Sequence, residues 1–238
     1  MSSLPTSLIP ADDAARLRVL HQYQIVNTTP EKIFDEYVAL TARLLNLPIS
    51  LISLVDEERV WFKASVGAPE GITSLARPDS MCSAAILQDT PVFFSDYTRE
   101  SCDLVNPATA EALGLHFYAG TALLTAEGTK IGVLAVIGRE KRVFSAAESE
   151  LLVALAQLVS RTIELRARYL AADDLDGWEK AQRELETTLD DNFALARYLA
   201  TRTQGINLED AEVAQLLKLR LERMGEVLDK KLTEVNKR

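Results

Sequence analysis

Cys82 and Cys102 are the side chains of this sequence most able to do chemistry, because a thiolate is a strong nucleophile and metal ligand. Cys82 follows Asp79 and Ser80, either of which can cap a short helix that runs through Leu87. A helix N-terminus lowers the pKa of a thiol and favours the thiolate. Thiol chemistry at Cys82, with Cys102 as its partner, is therefore one hypothesis. The alternative, which the sequence favours, is that both cysteines are small packing residues.

The other polar residues form no recognisable catalytic constellation. His21 and His116 are the only histidines, and together with two cysteines they lack the spacing of zinc ligands. Asp96 has a loop carboxylate, but no motif pairs it with a second one, so we expect it to cap a turn or a helix. His116 stands at a strand start, where a structural role is expected. The sequence contains no P-loop, no glycine-rich nucleotide loop and no Ser-His-Asp order.

The composition is that of an acidic globular protein. Hydrophobic residues make up 47% of the 238 residues, which is enough for a packed core. The net charge of −9 argues against nucleic-acid binding, which usually requires a basic face. No run reaches the roughly 18 apolar residues of a membrane helix, and the first residues lack a signal-peptide pattern. We therefore expect neither nucleic acid nor a membrane as a partner, and the cytoplasm as the compartment.

The composition changes near residue 170. All eight prolines lie at or before Pro107, and from Ala171 onward 26 of the 68 residues are charged. We expect a globular domain at residues 1–170 and a helical extension at residues 171–238.

In the first region, two helices precede a hairpin. Apolar spacing predicts a helix over residues 11–26. Thr29 can cap the second helix, with Pro30 at its first position, and this helix is predicted to run to about Leu45. The predicted hairpin has the strands Leu51–Val55 and Val60–Ala64 around the acidic turn Asp56–Arg59.

A second hairpin is predicted some fifty residues later. Between the two, residues 67–90 are expected to be irregular apart from the short helix, and residues 91–95 to form a strand. Residues 97–112 are expected to be a loop with one or two helical turns. The second hairpin has the predicted strands Leu115–Thr125 and Lys130–Ile137. Ser145 then opens a long helix, with Glu148 completing a capping box.

The extension is predicted to contain two helices, near residues 175–203 and 208–236. Apolar residues of the second helix recur at spacings of three and four, close to a coiled-coil seam over about three heptads. They are Val213, Leu217, Leu221, Met224, Leu228, Leu232 and Val235. The pattern predicts a coiled coil or a helical hairpin.

From Arg16 to Arg168, the order and spacing of these pieces resemble a GAF domain of the subtype common in bacterial sensory and signalling proteins. The matching pieces are LISLVDEERVWFKASVG at residues 51–67, RPDSMC at 77–82, FSDY at 94–97, LHFYAG at 115–120 and IGVLAV at 131–136. The resemblance implies an α+β fold with an antiparallel sheet of five or six strands. It places the terminal helices on one face of the sheet and the loops of residues 67–115 on the other, followed by the helical extension.

In the GAF family, the loop-covered face usually holds a small-molecule pocket. On this resemblance the candidate ligand-binding residues are Cys82, Asp96, Tyr118, Phe94, Arg77 and Trp61. For each of the aromatic residues, packing in the core is the alternative role.

Two GAF chemistries use a pocket cysteine. Bilin-binding members often have a histidine directly after it, whereas Ser83 follows Cys82 here, so we expect neither a bilin nor a haem. GAF-fold reductases of free methionine sulfoxide use two or three pocket cysteines. Cys82 and Cys102 could act in this way, although the surrounding motifs do not resemble that enzyme.

The leading hypothesis is a non-enzymatic sensory or regulatory module that binds a small molecule. Its C-terminal helices would form a homodimer or dock a signalling partner. Residues 117–238 contain no histidine that could accept phosphate as in a sensor kinase. The alternatives are a thiol-based reductase that uses Cys82 with Cys102, and a structural adaptor without a ligand.

Overall fold

The computed structural model describes residues 6–96, 105–106, 108–203 and 206–237. Its α-helices are α1 (Asp13–Gln22), α2 (Lys32–Leu44), α3 (Met81–Ala85), α4 (Ala108–Ala112), α5 (Ala146–Ala171), α6 (Leu175–Thr203) and α7 (Ala211–Val235). Its strands are β1 (Ile49–Val55), β2 (Arg59–Val66), β3 (Ser74–Ala76), β4 (Val92–Phe94), β5 (Phe117–Leu124) and β6 (Lys130–Gly138). Cys102 and most of the predicted loop after Asp96 lie outside the described residues.

The six strands form one antiparallel sheet in the order β3-β2-β1-β6-β5-β4. Both predicted hairpins are present, and β1 of the first pairs with β6 of the second at the centre. The first turn closes through a hydrogen bond from the Asp56 amide to the Arg59 carbonyl at 2.8 Å. The prediction of an antiparallel five- or six-stranded sheet is confirmed.

β3 lies in a stretch that was expected to be irregular. Its three residues pair with Arg59, Val60 and Trp61 at the edge of β2. A strand of three residues is too short to show an alternating pattern, so its pairing partner, not its own sequence, determines it.

The predicted start of α2 is wrong by two residues. The helix begins at Lys32 after Glu31, and no side chain caps it. Thr28 Oγ1 and the Thr29 carbonyl both accept hydrogen bonds from Lys63 Nζ at 2.8 Å. These bonds hold residues 28–29 against β2, so the two residues do not join the helix.

The start of α5 is as predicted. The Glu148 amide donates to Ser145 Oγ at 3.2 Å, and the Ser145 amide donates to Glu148 Oε2 at 2.8 Å. This reciprocal capping box satisfies two of the free N–H groups at the helix start.

Helices α2 and α5 pack on one face of the sheet, as the resemblance implied. The Tyr37 and Thr162 hydroxyls, both buried, bond across these helices at 2.9 Å. On the opposite face, α3 and the residues near α4 cover a second, smaller apolar cluster. The sheet therefore separates two cores.

The helical extension folds back onto the domain. α6 packs on α2, and α7 packs on α5. The seam residues Leu221, Met224 and Leu228 of α7 are buried in the apolar core that also contains residues of α2 and α5. Because this core continues from the sheet into the extension, the division at residue 170 does not separate two cores. Among the helices of the described ranges, none has both the length and the apolar character needed to cross a membrane.

Candidate ligand-binding cavity

A cavity of about 70 Å³ lies on the sheet face that is turned away from α2 and α5. Its walls come from the sheet, through Leu51, Phe62 and Ile137, and from α3 and α4, through Met81 and Ala110. The cavity is the position at which the resemblance placed a pocket.

Strand alternation selects the wall residues. Side chains along a strand point to opposite faces in turn, and directly paired residues of antiparallel strands share a face. Ser53 on β1 is paired with Phe62 on β2, which lines the cavity. Their neighbours Ile52 and Ala64 belong to the core on the α2 and α5 side.

Cys82 and Tyr118 form the polar end of the cavity. The Tyr118 hydroxyl lies 3.5 Å from Cys82 Sγ and donates to it, and the side chains of Ser53 and Ser80 also hydrogen-bond the thiol. Burial raises the pKa of the Cys82 thiol, and these hydrogen bonds oppose the shift without reversing it. The expectation of a lowered pKa is therefore wrong, because desolvation outweighs the start of a five-residue helix. Cys82 is a neutral thiol near pH 7.

A single carboxylate, that of Asp79, lies among the described lining residues. Its Oδ1 accepts a hydrogen bond from Asn106 Nδ2 at 3.0 Å, and the Asn106 amide donates to the Pro78 carbonyl at 2.7 Å. These contacts hold the cavity mouth together. The remaining lining is apolar or carries a hydroxyl or the Cys82 thiol, so the arrangement suits binding of a small neutral molecule.

Arg77 is not at the cavity, contrary to expectation. It is fully buried, and its guanidinium donates to Asp13 Oδ2 at 2.9 Å and to the Leu8 carbonyl at 2.7 Å. Longer hydrogen bonds reach the carbonyls of Asp56 and Glu57 at 3.4 and 3.3 Å. Arg77 therefore joins the N-terminal segment to the turn of the first hairpin.

Trp61 lies on the wrong face of the sheet for the predicted role. It is paired with Leu54, which belongs to the core under α2 and α5. The Arg59 guanidinium stands 5.9 Å from the centre of the Trp61 ring. The contacts shown for Trp61 are thus its strand pairings and this cation–π contact.

Phe94 and Asp96 are not among the residues that line the cavity. Phe94 is paired with Tyr118 and so shares its face of the sheet. Asp96 is 8% exposed, and its Oδ2 lies 2.6 Å from Lys141 Nζ. His116 Nδ1 is 3.9 Å from Asp96 Oδ1. Of the six candidates, only Cys82 and Tyr118 line the cavity.

Several wall residues were missed by the sequence analysis, among them Leu51, Phe62 and Met81. For the strand residues a signal was available, since the alternation of β1 and β2 assigns them to one face. The alternation does not show which face of the sheet carries a cavity. Within the described ranges, no group of three His, Cys, Asp or Glu side chains could hold a metal ion.

Comparison with known proteins agrees with this fold. The sequence model of the GAF domain matches residues 29–163. A cyclic di-GMP phosphodiesterase from Pseudomonas aeruginosa is 34% identical over 139 residues, which are 58% of this chain. The match spans only 23% of the length of that relative.

Solved structures give the same result. The blue-light-absorbing form of the PixJ GAF domain from Thermosynechococcus elongatus has a TM-score of 0.50 at 17% identity, covering 67% of this chain and 92% of that one. The GAF domain of an Acinetobacter phosphoenolpyruvate-protein phosphotransferase has a TM-score of 0.48 at 20% identity, covering 68% and 98%. At 17% identity, the likeness to the PixJ domain shows the fold alone. With the family match over more than half of its length, the chain belongs to the GAF domain family.

Proposed function

We propose that this chain is a non-enzymatic sensory module of the cytoplasm. It would bind a small molecule in the cavity at Cys82 and Tyr118, and signal through its C-terminal helices. The observation that carries the proposal is the cavity itself, a partly enclosed space with mostly apolar walls and one polar end. Membership of the GAF domain family supports it.

The size of the cavity limits the ligand. Ligand pockets commonly measure about 300–1,000 Å³, whereas this one measures about 70 Å³. We therefore propose a neutral ligand of a few non-hydrogen atoms that hydrogen-bonds to the Tyr118 hydroxyl. A linear tetrapyrrole or a haem exceeds this volume many times over.

An enzymatic role is not part of the proposal. A neutral, buried thiol is a poor nucleophile, which argues against a reductase that depends on Cys82. The phosphodiesterase activity named for the Pseudomonas relative belongs to a protein of which the match covers 23%. A cyclic dinucleotide is also far larger than the cavity.

A thermal-shift screen with small neutral metabolites tests ligand binding. A ligand at about 100 times its Kd stabilises a protein by about 2.7 kcal/mol, which raises Tm by several degrees. Leu113→Phe enlarges a side chain that lines the cavity and should abolish the shift. Ala112→Leu, at an exposed position of α4, is the matched control and should preserve it. A screen in which nothing raises Tm would favour the structural adaptor.

An assay of thiol-dependent reduction of free methionine sulfoxide tests the enzymatic alternative. We expect no activity above background in the parent protein or in Cys82→Ser. Activity that is present in the parent and lost in Cys82→Ser would overturn the non-enzymatic assignment.

For transmission of the signal, we propose that the helical extension forms a homodimer or binds a partner protein. The exposed side chains Tyr198, Leu216 and Leu219 near the α6–α7 connection support such a contact. The native mass of the purified chain distinguishes the two forms of output. A dimer mass that reverts to monomer in Leu219→Glu supports dimerisation through this surface, whereas an unchanged dimer places the interface elsewhere.

A further inference from the structure

A buried carboxylate, that of Glu31, joins four parts of the molecule. It directly precedes α2, and its side chain is 14% exposed. It accepts hydrogen bonds from Lys63 Nζ on β2 at 2.6 Å, Arg166 Nε on α5 at 2.9 Å and Trp178 Nε1 on α6 at 2.8 Å. We call these four residues the Glu31 cluster. It is a charged connection between the sheet and the helical extension.

The charges in this cluster depend on one another. The Lys63 side chain is 1% exposed, and its ammonium lies 5.4 Å from the centre of the Phe34 ring. Burial lowers the pKa of Lys63, and the contact with Glu31 opposes that shift. Burial alone would raise the pKa of Glu31, but the hydrogen bonds and charges of Lys63 and Arg166 outweigh it and lower the pKa. A displacement of Lys63 would therefore weaken the contacts of Glu31 as a whole.

Lys63 is also adjacent to the cavity wall. Phe62, the preceding residue, lines the cavity. The β1–β2 register passes from Ser53 and Phe62 directly to Ile52 and Ala64, so Lys63 is the extra residue of a β-bulge. A bulge interrupts the ladder of hydrogen bonds between strands. The position of Lys63 therefore depends on its side-chain partners more than on β1.

At the other end of the cluster, Trp178 lies in the first turn of α6. It is 4% exposed, and its ring centre lies 6.4 Å from that of Tyr169 at the end of α5. Its indole N–H donates to Glu31. The start of the extension is thus attached to the carboxylate that Lys63 contacts.

We propose that the Glu31 cluster couples the cavity to the helical extension. A molecule in the cavity displaces Phe62 and with it Lys63, the Glu31–Trp178 hydrogen bond weakens, and α6 loosens on α2. Glu31, Lys63 and Trp178 are then positioning residues that act on α6. This inference rests on the proposed function, because it assumes that the cavity is where a ligand binds.

Hydrogen–deuterium exchange of the whole chain tests the coupling. Trp178→Phe removes the indole donor and keeps most of the ring. We expect about tenfold faster exchange of the amides in residues 179–189, the size of effect expected for losing a hydrogen bond to a charged group. Trp61→Phe, at a tryptophan outside the cluster, should leave this exchange unchanged.

A larger side chain at the cavity wall serves as the probe for occupancy. Ala110→Leu adds three carbon atoms at a lining position, and Ala112→Leu adds the same atoms at an exposed position of the same helix. We expect Ala110→Leu to speed exchange in residues 179–189 at least threefold, Ala112→Leu to have no effect, and Trp178→Phe to remove the response to Ala110→Leu. Leu113→Phe is a second filling variant if Ala110→Leu does not fold.

Two results would overturn the coupling. In the first, exchange changes around α3 and β5 while residues 179–189 do not respond. In the second, the response is the same size with and without the indole N–H, so it does not pass through Trp178. Neither result bears on ligand binding, which the thermal-shift screen measures separately. A failed screen, conversely, would remove the proposed function without changing the exchange result.

Discussion

Arg77 is a fully buried cation whose hydrogen bonds reach both the N-terminal segment and the turn of the first hairpin. Arg77→Met removes the charge and all of the side-chain donors, leaving the Leu8 carbonyl without this donor and Asp13 with Arg16 alone. We expect a loss of about 3–5 kcal/mol in the free energy of unfolding, as is typical when one partner of a buried ion pair is removed. Urea unfolding measures it.

Arg59→Met is the matched control for this substitution. Arg59 is exposed, and its guanidinium bonds to the Ser74 side chain. Exposed contacts of this kind contribute about 0–1 kcal/mol, so the control should change stability little. Equal losses in the two variants would show that burial of Arg77 has no special importance.

The Cys82 thiol makes the free energy of unfolding depend on pH in the alkaline range. The thiol has a raised pKa in the folded chain, whereas in an unfolded chain it titrates near about 8.5. Above that pH the unfolded chain binds fewer protons than the folded one, so stability falls as pH rises. Below it, both states keep the proton and Cys82 contributes no slope.

We therefore expect the free energy of unfolding to fall more steeply between about pH 8 and 10 in the parent than in Cys82→Ala. The raised pKa values of Tyr23 and Tyr37 affect both proteins and cancel in the difference. Denaturant titrations at several pH values provide the measurement. Parallel curves would show that Cys82 ionises as easily in the folded chain as in the unfolded one.

At the scale of elements, the capping box is the feature that determines where α5 starts. Ser145→Ala removes the side-chain acceptor for the Glu148 amide. We expect a loss of about 1 kcal/mol, seen as a lower denaturant midpoint with an unchanged m-value. Ser149→Ala, within the helix, should be neutral or slightly stabilising, because alanine has the higher helix propensity. A larger loss at Ser149 than at Ser145 would contradict the role of the cap.

Elements that are determined by residues close together in sequence could be predicted, whereas elements that depend on contacts with other elements could not. The capping box of α5 and both hairpins follow from residues close together in sequence, and all were predicted. The start of α2 depends on Lys63 of β2, which is distant in sequence, and the strand β3 depends on its pairing with β2 across an irregular loop. The face of Trp61 was missed for a related reason, since the alternation in β2 does not reveal which side of the sheet faces the helices.

For the whole molecule, the continuous core predicts one cooperative transition. In the Trp61→Phe background, Trp178 is the only tryptophan and reports on the extension. We expect its fluorescence to change at the same denaturant concentration as the far-UV circular dichroism. An earlier change at Trp178 would mean that the extension unfolds independently of the sheet.

Substitutions in α7 test the same core. Leu228 is fully buried, so Leu228→Ala should cost about 2–5 kcal/mol and shift both signals together. Leu175, which is 57% exposed at the start of α6, is the matched control, and Leu175→Ala should cost less than about 1 kcal/mol. A small effect at Leu228 would argue against the packing of α7 on α5.

The seam of α7 also shows the limit of sequence reasoning at this scale. Its three- and four-residue spacing correctly predicts a buried face over Leu217, Leu221 and Leu228. The same spacing serves a coiled coil between two chains and a hairpin within one chain. In the structure, α7 packs on the apolar surface of α5 within the same chain. The spacing of apolar residues in α7 alone does not reveal that α5 is its partner. Likewise, the sequence around Cys82 does not reveal how deeply the thiol is buried, and burial is the largest cause of its raised pKa.

The order of the sheet has one more consequence. Both edge strands, β3 and β4, are three residues long, and Pro91 directly precedes β4. Short edges offer few free N–H and C=O groups to the strand of another molecule, which protects a protein against aggregation by strand addition. The edges of this sheet are thus poor sites for pairing with a strand of a second copy of the chain, whether in a native complex or in an aggregate. We therefore expect any association of this chain to use its helices and not the edges of its sheet.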